Sequence, residues 1–276
     1  MFRSLRGALI TALVCLVCGA TPASAQVLFW NLPKQDGTWV RFEGTYKNTQ
    51  YGTAPGEAEQ DLEWRTELKI SSVGAVTEAI GGKDAACRWL EFKTVMGKES
   101  AEGIKADPYG TRIYKVLVEE DLVYDRPTDS DGIPVMFFKL VRGYRKIADR
   151  EPAPLKEKVL AIHPMLSFAC YYPDFHAEGD QTEELQLPLG TVPVQLYKGT
   201  RVLETETCRS NNEGSLWRCK TDEVPFGLAK LQVKVLREMK DAVEPPEQFR
   251  QSAVIQVDLS AVEKGGDARS ELPDLQ

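Results

Sequence analysis

Strict alternation of apolar and polar residues, sustained over whole segments, is the feature that most constrains how this chain can fold. Leu62, Trp64, Thr66, Leu68 and Ile70 fall on one side of an extended backbone, and Glu63, Arg65, Glu67 and Lys69 on the other. Side chains in a strand alternate faces with a period of two, so this run has one dry face and one wet face. Val40, Phe42, Gly44 and Tyr46 alternate with Arg41, Glu43 and Thr45 in the same way. Leu231, Val233 and Val235 do so against Lys230, Gln232 and Lys234, and Ile255, Val257 and Leu259 against Gln256, Asp258 and Ser260. Such half-polar strands belong to antiparallel sheets that bury one face.

Two further runs, residues 113–118 and 134–141, are apolar on both faces and should be covered on both sides. Asp131-Gly132, at the end of the acidic stretch 125–132, reads as a surface turn between them. Lys198-Gly199 reads as the turn of a hairpin between residues 192–197 and 201–208, and Glu213-Gly214 as the loop of a second one. Helix is scarce. Residues 154–163 have Leu155, Val159 and Ile162 on one face, with Pro154 in the first turn and Pro164 closing the segment. A short turn is expected around 246–251. The fold class is therefore mainly β: a strongly curved antiparallel sheet, half-barrel or barrel-like, with one or two short helices. The less favoured arrangement is two β subdomains joined across residues 150–154.

The first 25 residues carry an address. Arg3 and Arg6 precede an apolar run, and Ala23-Ser24-Ala25 is a small-residue cleavage site, the pattern of a secretory signal peptide. The apolar run is shorter than the ~20 residues of a spanning helix, so no transmembrane anchor is expected after cleavage. Neither Cys15 nor Cys18 has the preceding residues of a lipid-attachment site. Residues 26–260 are expected to form one β-rich domain in the periplasm or outside the cell. Residues 261–276, with Gly265-Gly266 and scattered charge, are expected to be a disordered tail. The formal net charge is −7, and cleavage removes two arginines and no acid. That balance repels phosphate backbones, which excludes nucleic acid as a partner. Oligomeric state leaves no mark in the sequence.

Cysteine usage agrees with export. Beyond the signal lie Cys87, Cys170, Cys208 and Cys219, an even number in an oxidising compartment. Of the three connectivities, Cys208–Cys219 across the second expected hairpin is favoured, leaving Cys87–Cys170. Only two of the four are close in sequence, which disfavours a tetrahedral zinc site.

Catalytic chemistry is poorly supplied. The chain has two histidines, His163 and His176, and no nucleophile elbow, zinc-protease helix, phosphate loop or dinucleotide fingerprint. His163 ends the expected helix, where the dipole favours a cation. In an extended conformation Asp174, His176, Glu178 and Asp180 would project to one side and offer a divalent cation three carboxylates and an imidazole. Gly179 and the acidic residues after it point instead to an exposed loop, so no metal and no cofactor are assigned. Acidic pairs such as Glu119-Glu120 read as solvated surface. Aromatic and aliphatic residues on the strands are the better lead: Phe42, Trp64, Leu68, Trp89 and Phe138 are candidates to line a cavity for an apolar ligand.

One resemblance bears on that lead. Cys87-Arg88-Trp89-Leu90-Glu91-Phe92-Lys93, and Val224-Pro225-Phe226-Gly227 before the strand at Leu231, resemble segments of bacterial exported β-rich proteins of uncharacterised role. These are similar in outline to the periplasmic lipoprotein-carrier superfamily, and the similarity spans residues 38–240 in strand order. The resemblance implies a half-barrel around a hydrophobic cavity and brings no catalytic residues. This chain departs from the carriers in its four cysteines and charged tail. The expected function is that of a non-enzymatic exported envelope protein that binds a hydrophobic ligand, a lipid or an acylated or lipoprotein-like partner. The alternative is a structural or protein-interaction module of the envelope with a solid core and no cavity.

Overall fold

The computed structural model describes residues 30–52, 58–108, 110–121, 140–156, 160, 172 and 176–273. The signal segment, most of the run 134–141, Phe138, His163, Cys170 and Asp174 lie outside them. The alternating runs become β1 (Trp39–Gln50), β2 (Gln60–Ile80), β12 (Leu228–Met239) and β13 (Arg250–Gly265). Between β2 and β12 the chain adds β3 (Lys83–Ser100), β4 (Gly103–Ala106), β5 (Arg112–Glu119), β6 (Leu140–Ile147), β7 (Ala153–Pro154), β8 (His176–Ala177), β9 (Glu183–Leu187), β10 (Gly190–Glu204) and β11 (Cys208–Cys219). All thirteen join one open sheet, ordered β7-β6-β5-β3-β2-β1-β13-β12-β11-β10-β8, with β4 beside β3 and β9 beside β10. Every pairing is antiparallel. The chain is mainly β, as the alternation predicts.

Register turns the alternation into a layered inner face. Trp64, Tyr46, Val257, Val233, Gly214 and Gly199 stand directly opposite one another across β2-β1-β13-β12-β11-β10. The row on one side of it runs Thr66, Gly44, Leu259, Leu231, Leu216 and Tyr197. Phe42 and Leu68 begin the next, and β3 and β5 extend the face with Leu90, Phe92, Met96, Tyr114, Val116 and Val118, all buried. Each fully buried Leu or Phe contributes about 1.5–3 kcal/mol. Trp30, Leu32, Leu160, Tyr172 and Val224–Phe226 pack onto the same core as its cover. The Trp30 amide donates to the Phe226 carbonyl at 2.8 Å. Phe226, fully buried, holds a φ of 65° in a one-turn 3-10 helix, a conformation rare for a bulky residue and here fixed by its packing.

Two glycines expected to turn the chain do something else. β10 runs unbroken through Gly199 and β11 through Gly214, and the two glycines face each other. The Tyr172 ring lies over Gly214, where an added Cβ would sit 2.6 Å from the ring. The missing side chain makes room for the tyrosine, and the reversal comes later, at residues 205–207. Both expected hairpins are therefore corrected to one, β10–β11. The disulfide falls with them: Cys208 and Cys219 occupy opposite ends of β11, about 36 Å apart at ~3.3 Å per residue, and both thiols are free. Cys87 is likewise free and buried.

Pro154 does not begin a helix. It pairs with Tyr144 in β7, and the Leu155 amide donates to Gly143 at 2.8 Å, continuing the ladder at the edge of the sheet. Residues 157–159 and 161–163 lie outside the described residues. The short turn near 246 is a 3-10 turn at Pro246–Gln248. The segment read from composition as a disordered tail continues β13 as far as Gly265, with Ala261 fully buried. Residues 266–273 then cross the outer face. Trp39 Nε1 donates to Asp267 at 2.9 Å, and Ser270 Oγ and the Glu271 amide donate to the buried Glu91 carboxylate at 2.8 and 3.1 Å.

Candidate functional site

Beyond Trp64 and Tyr46 the inner face runs out to an open rim. One row further stand Leu62, Asn48, Ile255, Val235, Asn212 and Arg201, and then Gln60, Gln50, Ala253, Arg237, Ser210 and Leu203. The two ends of that last row are five inter-strand spacings apart, about 24 Å on a flat sheet. Yet Gln60 and Leu203 border one cavity of about 650 Å³, together with Tyr51, Ala58, Cys208, Met239 and the rest of the row. A flat sheet cannot enclose it, so the sheet curls at this end. The site is where the apolar inner face meets water.

Charge is sorted by face. The outer sides of the same strands carry Glu43, Asp61, Glu63, Glu67, Glu213 and Asp258, four of which, Glu43, Glu63, Glu67 and Asp258, pair with basic neighbours. Lys47 meets Glu63 at 3.0 Å, Arg41 meets Glu263 at 3.0 Å, and Arg65 meets Glu43 at 3.4 Å. The cavity lining, among the described residues, holds no Asp, Glu or His, and its one charged side chain is Arg237. Burial pushes the Tyr46 phenol up from its usual range, while the Arg237 charge and the Asn48 amide pull it back. Arg237 is thus felt two rows in from its own place. Asn48 Oδ1, one row inside the rim, is buried with no hydrogen-bond partner among the described residues.

The residues picked from the sequence divide three ways. Phe42 and Leu68 are on the inner face but fully buried in filled core. Trp64 is half-buried, its ring 6.2 Å from that of Tyr46, between the core and the cavity. Trp89 faces the opposite side of the sheet, where it packs with Cys87, Leu117 and Tyr144 under the Arg142 guanidinium. Phe138 lies outside the described residues. The rim residues were missed because each is ordinary alone. Carrying the parity of Tyr46 and Val235 outward to Gln50 and Arg237 would have found them.

Other chemistry is sparse. His176 is exposed in β8 opposite Lys198, and Glu178 turns back to the Lys198 ammonium at 3.1 Å. Among the described residues no three His, Cys, Asp or Glu side chains group as metal ligands. Burial, with Glu119, Glu78 and Glu120 adding to it, pushes the Cys87 thiol up, which suppresses its thiolate. Among the described residues no helix is long and apolar enough to cross a membrane.

Comparison with known proteins adds little. No protein-family model and no curated protein matches the chain. Among solved structures, it is similar to a candidate lipoprotein from Parabacteroides distasonis, 12% identical over 87% of this chain and 99% of that one, with a TM-score of 0.31. It is also similar to a candidate exported protein with a YmcC-like fold from Bacteroides fragilis, 9% identical over 86% and 99%, again at a TM-score of 0.31. Both likenesses are shallow.

Proposed function

We propose that this chain is a non-enzymatic exported protein of the cell envelope that takes a hydrophobic ligand into the open end of its curved sheet. The observation that carries the reading is the cavity of about 650 Å³ at the end of the inner face, walled by rim residues from six strands. Small-molecule sites run from about 300 to 1,000 Å³ and pair an apolar lining with a few polar groups at the mouth. Leu203 and Met239, nearly half exposed at this mouth, supply apolar contact. The signal-like first 25 residues support export. A lining without Asp, Glu or His supports binding over bond-breaking.

Titration of the purified chain with the neutral dye Nile red tests this, together with native mass spectrometry for co-purified lipid. Saturable fluorescence is expected, weakened by Leu203→Asp and by Met239→Asp. Absence of both dye binding and co-purified lipid would overturn the reading. It would favour the second one, an interaction module with a solid core, which the complete burial of Phe42 and Leu68 supports.

A further inference from the structure

We infer that the ligand is a single-chain anionic amphiphile, its headgroup on the Arg237 guanidinium and its hydrocarbon over Leu203, Met239 and Ala253. This rests on the binding function proposed above and names the class of molecule bound. Three observations carry it.

The first is the distribution of acid. The chain has 41 Asp and Glu, and the outer faces of β1, β2, β11 and β13 carry Glu43, Asp61, Glu63, Glu67, Glu213, Asp258 and Glu263. The four inner-face rows from Thr66 out to Gln60 hold none in β10 to β13, β1 or β2. Burial accounts for this in the deep rows, where an unpaired carboxylate is costly. It does not account for the rim row, where Gln50, Gln60 and Arg237 are exposed to water. Amides and hydroxyls stand there, with an arginine and no carboxylate.

The second is the state of Arg237. Arg41, Arg88, Arg142 and Arg209 all pair with carboxylates. Arg237 has no carboxylate partner among the described residues, and its charge is felt by the buried Tyr46 phenol two rows further in. An arginine presents a planar fork of donors that matches a carboxylate or phosphate. Beside an apolar wall its positive charge fixes one end of an amphiphile and leaves the tail to the hydrophobic surface. The third is volume. A recess of about 650 Å³ has room for one hydrocarbon chain.

The whole-molecule charge sharpens the test. A net charge of −7 disfavours anions at long range, so a preference for an anionic ligand has to be local. Displacement of bound Nile red by dodecanoate, dodecanol and dodecyltrimethylammonium reads that preference at constant chain length. Dodecanoate is expected to bind roughly tenfold or more tighter than dodecanol, the scale of one charge-assisted hydrogen bond, with the cation weakest. Arg237→Gln should abolish the gap by weakening dodecanoate while leaving dodecanol unchanged, and Arg237→Lys should keep part of it. Equal displacement by dodecanoate and dodecanol, or a gap that survives Arg237→Gln, overturns the headgroup assignment while the cavity reading stands. If Nile red itself fails to bind, both fall together.

Discussion

The two ends of the inner face are built from the same strands and have opposite characters. At the sealed end, Phe42, Leu68, Leu259, Leu231 and Leu216 are completely buried, and Trp30, Val224 and Phe226 close over them. At the open end, six to eight residues along each strand, the same face carries Gln, Ala, Ser, Arg and Leu203, and a cavity replaces the cover. Strand pairing is continuous through both, so backbone geometry is not what separates them. Side-chain size is. Large apolar residues in register bring in a covering segment, and short or polar ones leave a curled sheet with room inside.

The contrast breaks first under truncation. Phe42→Ala should cost about 3–5 kcal/mol, because the removed ring leaves a cavity in filled core. Leu203→Ala should stay within about 0.5 kcal/mol, as expected at a wet surface. Urea unfolding of the two variants measures both, and comparable losses would mean that the rim is core. A middle case sharpens the boundary. Gly214→Val places two methyl groups against the Tyr172 ring and should cost about 1–3 kcal/mol by overpacking. An unchanged unfolding midpoint would show that Tyr172 does not hold this position. The smallest effect belongs to the outer face. Glu91→Gln weakens the acceptor for Ser270 and Glu271 and should cost about 1 kcal/mol, mostly local. Amide exchange at residues 270–272 should quicken while the rest of the sheet stays protected, and unchanged protection there would detach the strap from Glu91.

Much of this architecture was legible in the residues. The alternation through Val40–Tyr46, Leu62–Ile70, Leu231–Val235 and Ile255–Leu259 predicts strand, face and antiparallel sheet, because a period of two admits few other solutions. Where the reading failed, one residue type had two physical uses. Gly199 and Gly214 look like turns by composition, but Tyr197, Gly199 and Arg201 hold the same parity straight through, as do Asn212, Gly214 and Leu216. Gly214 admits a tyrosine that lies far off in sequence, and no local signal reports it. Residues 261–273 failed for a related reason. Their composition is polar, yet the partners that order them, Trp39 and Glu91, are long-range. The cavity was expected around Phe42 and Leu68, where side-chain bulk fills the space, and it opens where bulk gives out. A pattern of single residues shows which face is apolar but not how far the curl closes over it.

Among the described residues the unclosed sheet of thirteen strands has two flanks, the places where another copy would add a strand. Here each flank is finished by a fragment: Ala153–Pro154 on one side and His176–Ala177 on the other, with the acidic Glu183–Leu187 segment alongside. A proline offers no amide, and a two-residue ladder is too short to template an incoming chain. Among the described residues, the outermost fragment on each flank therefore offers an incoming chain at most a two-residue ladder.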